Sequence, residues 1–104
     1  MVAKKEIIIK DIINSKAADD DEKGNKVLDK IKELSNNDEN DIILNFTEIE
    51  LVNTAFLNNA IGQLFNKKEF DLSKNNVKLK NIDQEVLDLV KETISLARMR
   101  YGIM

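Results

Sequence analysis

DIILNFTEIELVNTAFLNNAIGQLF, residues 41–65, joins an apolar strand to an amphipathic helix through a polar turn. Ile42, Ile43, Leu44 and Phe46 read as a strand, interrupted on one side by Asn45. Phe56, Leu57, Ala60, Ile61, Leu64 and Phe65 recur at helical spacing and predict a helix over 54–66. Asn53 or Thr54 should cap it, because either side chain can accept a hydrogen bond from an unpaired first-turn amide. The same amides, with the helix dipole, make this end attractive to an anion such as phosphate.

Toward the N-terminus, Ile at 7, 8, 9, 12 and 13 predicts a strand from Glu6 to Ile13. Asn14 to Lys23 is a polar connection that either holds a short second strand or leaves the sheet reduced. A helix is expected from Gly24 to Ser35, with Val27, Leu28, Ile31 and Leu34 on one face and Lys26, Asp29, Lys30 and Lys32 on the other. Asn36 to Asn40 breaks that pattern. Beyond the central segment, Asn66 to Asn76 reads as a polar loop from which Phe70 and Leu72 tuck onto the core.

In Val77 to Ile82, Val77 and Leu79 alternate with Lys78 and Lys80, the pattern of a third strand with one wet face or an edge position. Asp83 is placed to cap a last helix, with Glu85 in its first turn and Val86, Leu87, Val90, Ile94 and Ala97 as its apolar stripe. Gly62 is expected to mark a close approach of its helix to the sheet or a neighbouring helix. Strands alternating with helices imply right-handed crossovers and an α/β fold. The expected sheet is mixed or mainly parallel, of three to four strands, with 42–46 central and helices 54–66 and 83–100 on the same face. With 104 residues, no internal repeat and no Pro- or Gly-rich linker, the chain reads as one domain over 1–104.

Composition narrows the chemistry. An apolar fraction of 42% and a charged fraction of 34% suit a globular protein. A net charge of −3, with bases and acids interspersed, offers no concentrated basic surface for nucleic acid. Cys, His, Pro and Trp are absent, which removes disulfides, zinc sites built on Cys or His, and nucleophiles activated by histidine. Neither a secretory apolar segment nor an 18-residue apolar span is present, so a cytoplasmic location without membrane contact is expected.

Three acidic arrangements are candidate sites. Asp19, Asp21 and Gly24 sit at the first, third and sixth positions of a calcium-binding EF-hand loop, but Lys23 and Lys30 take the fifth and twelfth. Solvated carboxylates leading into a helix are the better reading. A phosphoacceptor receiver domain needs an acid where Asn45 ends the central strand, with Asp11 a lone carboxylate. An enzyme would have to assemble Asp11, Glu48, Glu50 and Asp83, whose spacing supports no mechanism. No metal or cofactor is expected.

The central segment resembles the STAS fold of anti-sigma factor antagonists, and more closely a STAS-like family of small bacterial proteins. The resemblance rests on Asn45-Phe46, then Thr54-Ala55-Phe56-Leu57, then Asn59, Gly62 and Leu64. In the phosphorylated antagonists the helix begins Asp-Ser-Ser-Gly-Leu, and the second Ser accepts phosphate from a partner kinase. Here Asn53, Thr54, Ala55 and Phe56 replace the first four of those residues and Leu57 alone is kept. Ala55 has no hydroxyl, so the phosphoswitch should be missing, with Thr54 as the alternative acceptor or an ordinary capping residue. A familiar STAS domain also carries an N-terminal hairpin of two strands, of which this chain shows one.

The resemblance implies a non-enzymatic regulatory protein-protein interaction domain of a bacterium or its virus, with a partner such as an ATP-binding kinase-like regulator. The partner-facing surface is expected around Glu48, Glu50, Asn53, Thr54 and Asn58. The rival reading is a module that captures nucleotide or another anion at the Thr54 helix end. Met99, Tyr101, Ile103 and Met104 are a further mixed segment that either packs and caps or forms an interface. Oligomeric state is left open.

Overall fold

The computed structural model describes residues 3–35, 40–68, 70–72 and 75–102. Strand β1 (Ala3–Ile8) runs directly into a short helix, α1 (Ile9–Ile13). The expected strand to Ile13 therefore ends five residues early. A run of isoleucines satisfies either period, and here Ile9 and Ile13, four residues apart, both turn into the core while Asp11 between them stays exposed. Asn14, in the left-handed region at φ 53°, ends the turn, a conformation Asn tolerates.

A two-residue strand, β2 (Ala17–Ala18), leads into α2 (Asp21–Leu34). This helix begins three residues before Gly24, because Asp20 caps it by accepting from the Lys23 amide at 2.8 Å. Strand β3 (Asn40–Asn45), the two-residue β4 (Leu51–Val52) and α3 (Thr54–Ala60) follow. The helix expected over 54–66 breaks at Ile61 into a 3-10 turn, Gly62–Phe65. Three residues per turn eclipse Ile61 and Leu64, and both are buried. Strand β5 (Asn75–Lys80) and α4 (Gln84–Arg100) complete the order, with Asp83 capping α4 through the Val86 amide at 2.9 Å. Of the expected break at 36–40, residues 36–39 lie outside the described residues, as do 69, 73 and 74 of the loop before β5.

β1, β3 and β5 form one all-parallel sheet in the order β1-β3-β5, so the Ile42 strand is central as expected. The short strand sought in the N-terminal connection exists as β2. It pairs in parallel with β4, Ala17 beside Leu51 and Ala18 beside Val52, in a separate two-stranded sheet. The main sheet is therefore three-stranded.

Register explains why the helices lie on one face. Lys5, Ile42 and Val77 form one cross-strand row and Ile7, Leu44 and Leu79 the next, and this face meets Val27, Ile31, Phe56, Leu57 and Val90 in the core. The opposite face carries Lys4, Asp41 and Asn76, then Glu6, Ile43 and Lys78, then Ile8, Asn45 and Lys80. Lys78 bonds Asp41 and Lys80 bonds Glu6 across it, each at 3.3 Å. Two crossovers advancing in the same direction put their helices on the same side. One face is thus packed and the other wet, and Lys78 and Lys80 show both the wet face and the edge position anticipated for β5.

The close helix approach lies at Gly24, not Gly62. A Cβ at Gly24 would stand 2.5 Å from the Phe56 carbonyl oxygen, whereas at Gly62 the nearest atom, Thr93 Cγ2, is 3.7 Å away. Among the described residues, no helix is long and apolar enough to cross a membrane.

Candidate functional site

The three parallel strands end at one side of the molecule, where the β3–β4 and β5–α4 connections meet. The buried Asn45 side chain joins them: its Oδ1 accepts from the Thr47 amide and from Asn81 Nδ2, both at 2.9 Å. The Phe46 amide donates to the Lys80 carbonyl at 2.9 Å and extends the ladder by one bond. Asn45 therefore serves as a structural clasp at the strand end where a receiver domain would need a carboxylate.

Glu48 stands in the left-handed region at φ 60°, which costs a residue with a Cβ roughly 1–2 kcal/mol. The turn is held by the Ile49 amide on the Phe46 carbonyl at 3.1 Å, and by Lys10 Nζ, 3.0 Å from Glu48 Oε2. The hydrogen bond and charge of Lys10 hold the Glu48 carboxyl below the usual carboxylate range, with weaker help from Lys16 and against a small opposing effect of burial. The Glu50 amide then donates to the Lys16 carbonyl at 2.8 Å, and the Asn53 amide to the Ala18 carbonyl at 3.2 Å.

Of the two residues expected to cap α3, Asn53 is the cap. Its Oδ1 accepts from the Phe56 amide at 3.1 Å and its Nδ2 donates to the Asp19 carbonyl at 2.9 Å. Thr54 is the first helical residue, is exposed, and makes no hydrogen bond with its hydroxyl to a described residue. Asn58, half-buried, stands four residues further on, on the same flank as Thr54. Asn59, half-buried like Asn58, turns toward α2 and donates to Asp21 Oδ1 at 3.1 Å, tying the start of α2 to α3 at the surface.

The residues singled out in the sequence thus divide. Glu48, Glu50 and Thr54 are exposed and Asn58 is half-exposed, while both polar ends of Asn53 are occupied by the fold. Leu51, 53% exposed between Glu50 and the cap, was not anticipated. No local signal marked it: the alternation Glu48-Ile49-Glu50-Leu51 would set Leu51 on the side opposite Glu50, yet both are exposed at the start of β4. Lys10 was missed because α1 was read as strand.

Asp11 stays exposed, whereas Asp19, Asp20 and Asp83 have structural partners. Asp19 and Asp20 lie 2.8 and 3.9 Å from Lys23 Nζ. The hydrogen bond from Lys23 to Asp19, with the charges of both acids, raises the lysine pKa against the opposing cost of burial. Asp83 caps α4, and among the described residues no three acids converge as a metal site. At the C-terminus Tyr101 donates its hydroxyl to Gln63 Oε1 at 3.0 Å and Met99 is exposed. Ile103 and Met104 lie outside the described residues.

The profile of a family described as STAS-like domain of unknown function (DUF4325) matches residues 23–87. The chain belongs to that family, as the Asn45-Phe46 and Thr54-Ala55-Phe56-Leu57 segments suggested. No curated protein and no solved structure gives a significant match.

Proposed function

We propose that this chain is a non-enzymatic regulatory module, acting inside the cell, that binds a partner protein through the surface of Glu48, Glu50, Leu51, Thr54 and Asn58. The observation that carries this reading is the combination of an apolar side chain and two carboxylates, all exposed, on a turn clamped by Lys10 and the β2–β4 pair. A surface held in one conformation loses little entropy on docking. Its chemistry suits a partner with a basic rim and a small apolar pocket. An ATP-binding kinase-like regulator is the partner class suggested by the likeness to anti-sigma factor antagonists.

The rival reading, capture of nucleotide or another anion at the start of α3, has less support. Asn53 already occupies the Phe56 amide, and the first turn of α3, Thr54-Ala55-Phe56-Leu57, carries no cation to hold an anion. The experiment is quantitative recovery of native-host partners on the wild-type chain, Glu50→Lys and Asn58→Lys, with melting temperature as the folding control. Loss of a specific protein from both variants at unchanged melting temperature supports the surface. Unchanged recovery places the site elsewhere, with the segment around Tyr101 next to be tested.

A further inference from the structure

The two edges of the three-stranded sheet differ. At the β1 edge, Ile7 is 2% exposed and Lys5 donates to the Leu34 carbonyl at 2.7 Å, so among the described residues α2 covers the packed face there and leaves no apolar groove beside the strand. At the β5 edge, Val77 and Leu79 remain half-exposed. They line an apolar groove of about 120 Å³ with Ile61, Leu64, Leu72 and Ile94.

The backbone beside this groove is available. The Lys80 carbonyl accepts from Phe46 and therefore points toward β3. In a strand, alternate residues direct their N–H and C=O groups to opposite sides, so Lys78 and Asn76 also bond β3 while Val77 and Leu79 point theirs outward. No described strand pairs with them. The side chains of these same two residues form the groove wall, so an added strand could take their hydrogen bonds and fill the groove with alternate side chains.

Charge selects the occupant. On the wet face of this edge stand Lys78 and Lys80, both more than half exposed and each paired on its inner side with an acid, Asp41 and Glu6 respectively, at 3.3 Å, so an acid on an added strand would share them from the outer side. Around α4, Thr93 and Ala97 face Gly62 while Val90 and Ile94 line the groove. One step of about 100° per residue carries Lys91 and Arg98 to its outer rim. Asp71 is an acid near one end, beside Leu72. A second copy of β5 would set lysines against lysines, the arrangement by which edge strands resist self-pairing.

We propose that β5 receives, by strand addition, an extended segment of another protein that alternates apolar residues, seated in the groove, with acidic residues beside Lys78 and Lys80. This is a second surface, independent of the Glu48 to Asn58 turn.

The test uses the full chain, isotopically labelled, and three synthetic peptides: alternating Leu and Glu, the same with Lys for Glu, and the Leu-Glu peptide with alternate residues N-methylated. With the first peptide, amide exchange at Val77 and Leu79 should slow by about tenfold or more, and methyl signals of Leu72 and Ile94 should shift. The Lys peptide and the N-methylated peptide should bind at least about tenfold more weakly. Leu72→Glu, at the exposed rim of the groove, should weaken the Leu-Glu peptide without changing the melting temperature. Equal binding of the Leu-Glu and Lys peptides, binding without protection of Val77 and Leu79, or no binding overturns the proposal. Concentration-dependent protection of β5 in the protein alone would also overturn it, by naming a second copy as the occupant.

Discussion

Gly24 in α2 lies against the carbonyl of Phe56 in α3, so near that the space a Cβ would need is already taken, 2.5 Å from that oxygen and 2.9 Å from Asn59 Cβ. The contact lets two helices that follow the paired strands β2 and β4 descend side by side, with Asn59 bonding Asp21 across them.

Gly24→Ala sets two effects in opposition. Alanine favours a helix interior over glycine by about 1 kcal/mol. Overpacking commonly costs about 1–3 kcal/mol, and here the obstacle is backbone, which cannot rotate away. The expected outcome is net destabilisation, with a lower midpoint in urea unfolding. An unchanged or raised midpoint would mean that the helices separate at little cost.

The capping assignment separates two adjacent residues. Asn53→Ala removes the bond to the Phe56 amide and the link to Asp19, and should cost about 0.5–2 kcal/mol. Thr54→Ala removes an exposed hydroxyl and should stay within about 0.5 kcal/mol of wild type. Thermal unfolding of the two variants in parallel checks the order, and a larger loss for Thr54→Ala would transfer the capping role to it.

The Lys10–Glu48 pair predicts an acid-dependent loss of stability. Lys10, through its hydrogen bond and charge, lowers the Glu48 pKa in the folded chain. Its contribution is therefore present above the unfolded-state pKa and disappears as pH falls through the lower folded-state pKa. Asp41 behaves alike, lowered first by its hydrogen bond from Asn76 and then by Lys78, against an opposing effect of burial. Between about pH 5 and pH 3 the wild type should lose stability more steeply than Glu48→Gln. Matching slopes from urea titrations at several pH values would remove Glu48 from the account.

Phosphorylation is checked by intact mass on protein from the native host. Ala55 cannot carry phosphate, so no phosphoform is expected. A phosphopeptide containing Thr54, whose exposed hydroxyl is the alternative acceptor, would instead argue for a kinase partner.

Much of the architecture was legible in local patterns. The unbroken apolar run at Ile42 to Leu44 pointed to the central position and the Lys alternation in β5 to a wet face, and both hold, although Ile43 lies half-buried on that wet face between Glu6 and Lys78. Asp83 was legible as a cap because capping is completed within one turn. Of the candidate residues only local exposure was legible: Glu50 is exposed as expected and Asn58 is half-buried, while the division of labour between Asn53 and Thr54 was not readable. The choice of Asn53 depends on the Asp19 carbonyl, thirty-four residues away, which fixes the Asn53 side chain from its other end.

The sequence by itself determined the α/β class, the central strand and the polar start of α3, because burial period and turn chemistry are written within a few neighbouring residues. Only the tertiary structure decided that Ile9 to Ile13 coils into a helix, that β2 pairs with β4 apart from the main sheet, and that α3 gives way to a 3-10 turn at Gly62. It also decided that Gly24 carries the close contact and that the apolar side chains are covered beside β1 but half-exposed beside β5. Each of these depends on which surface arrives from elsewhere in the chain, and a local pattern compatible with two conformations is resolved by the partner that packs against it.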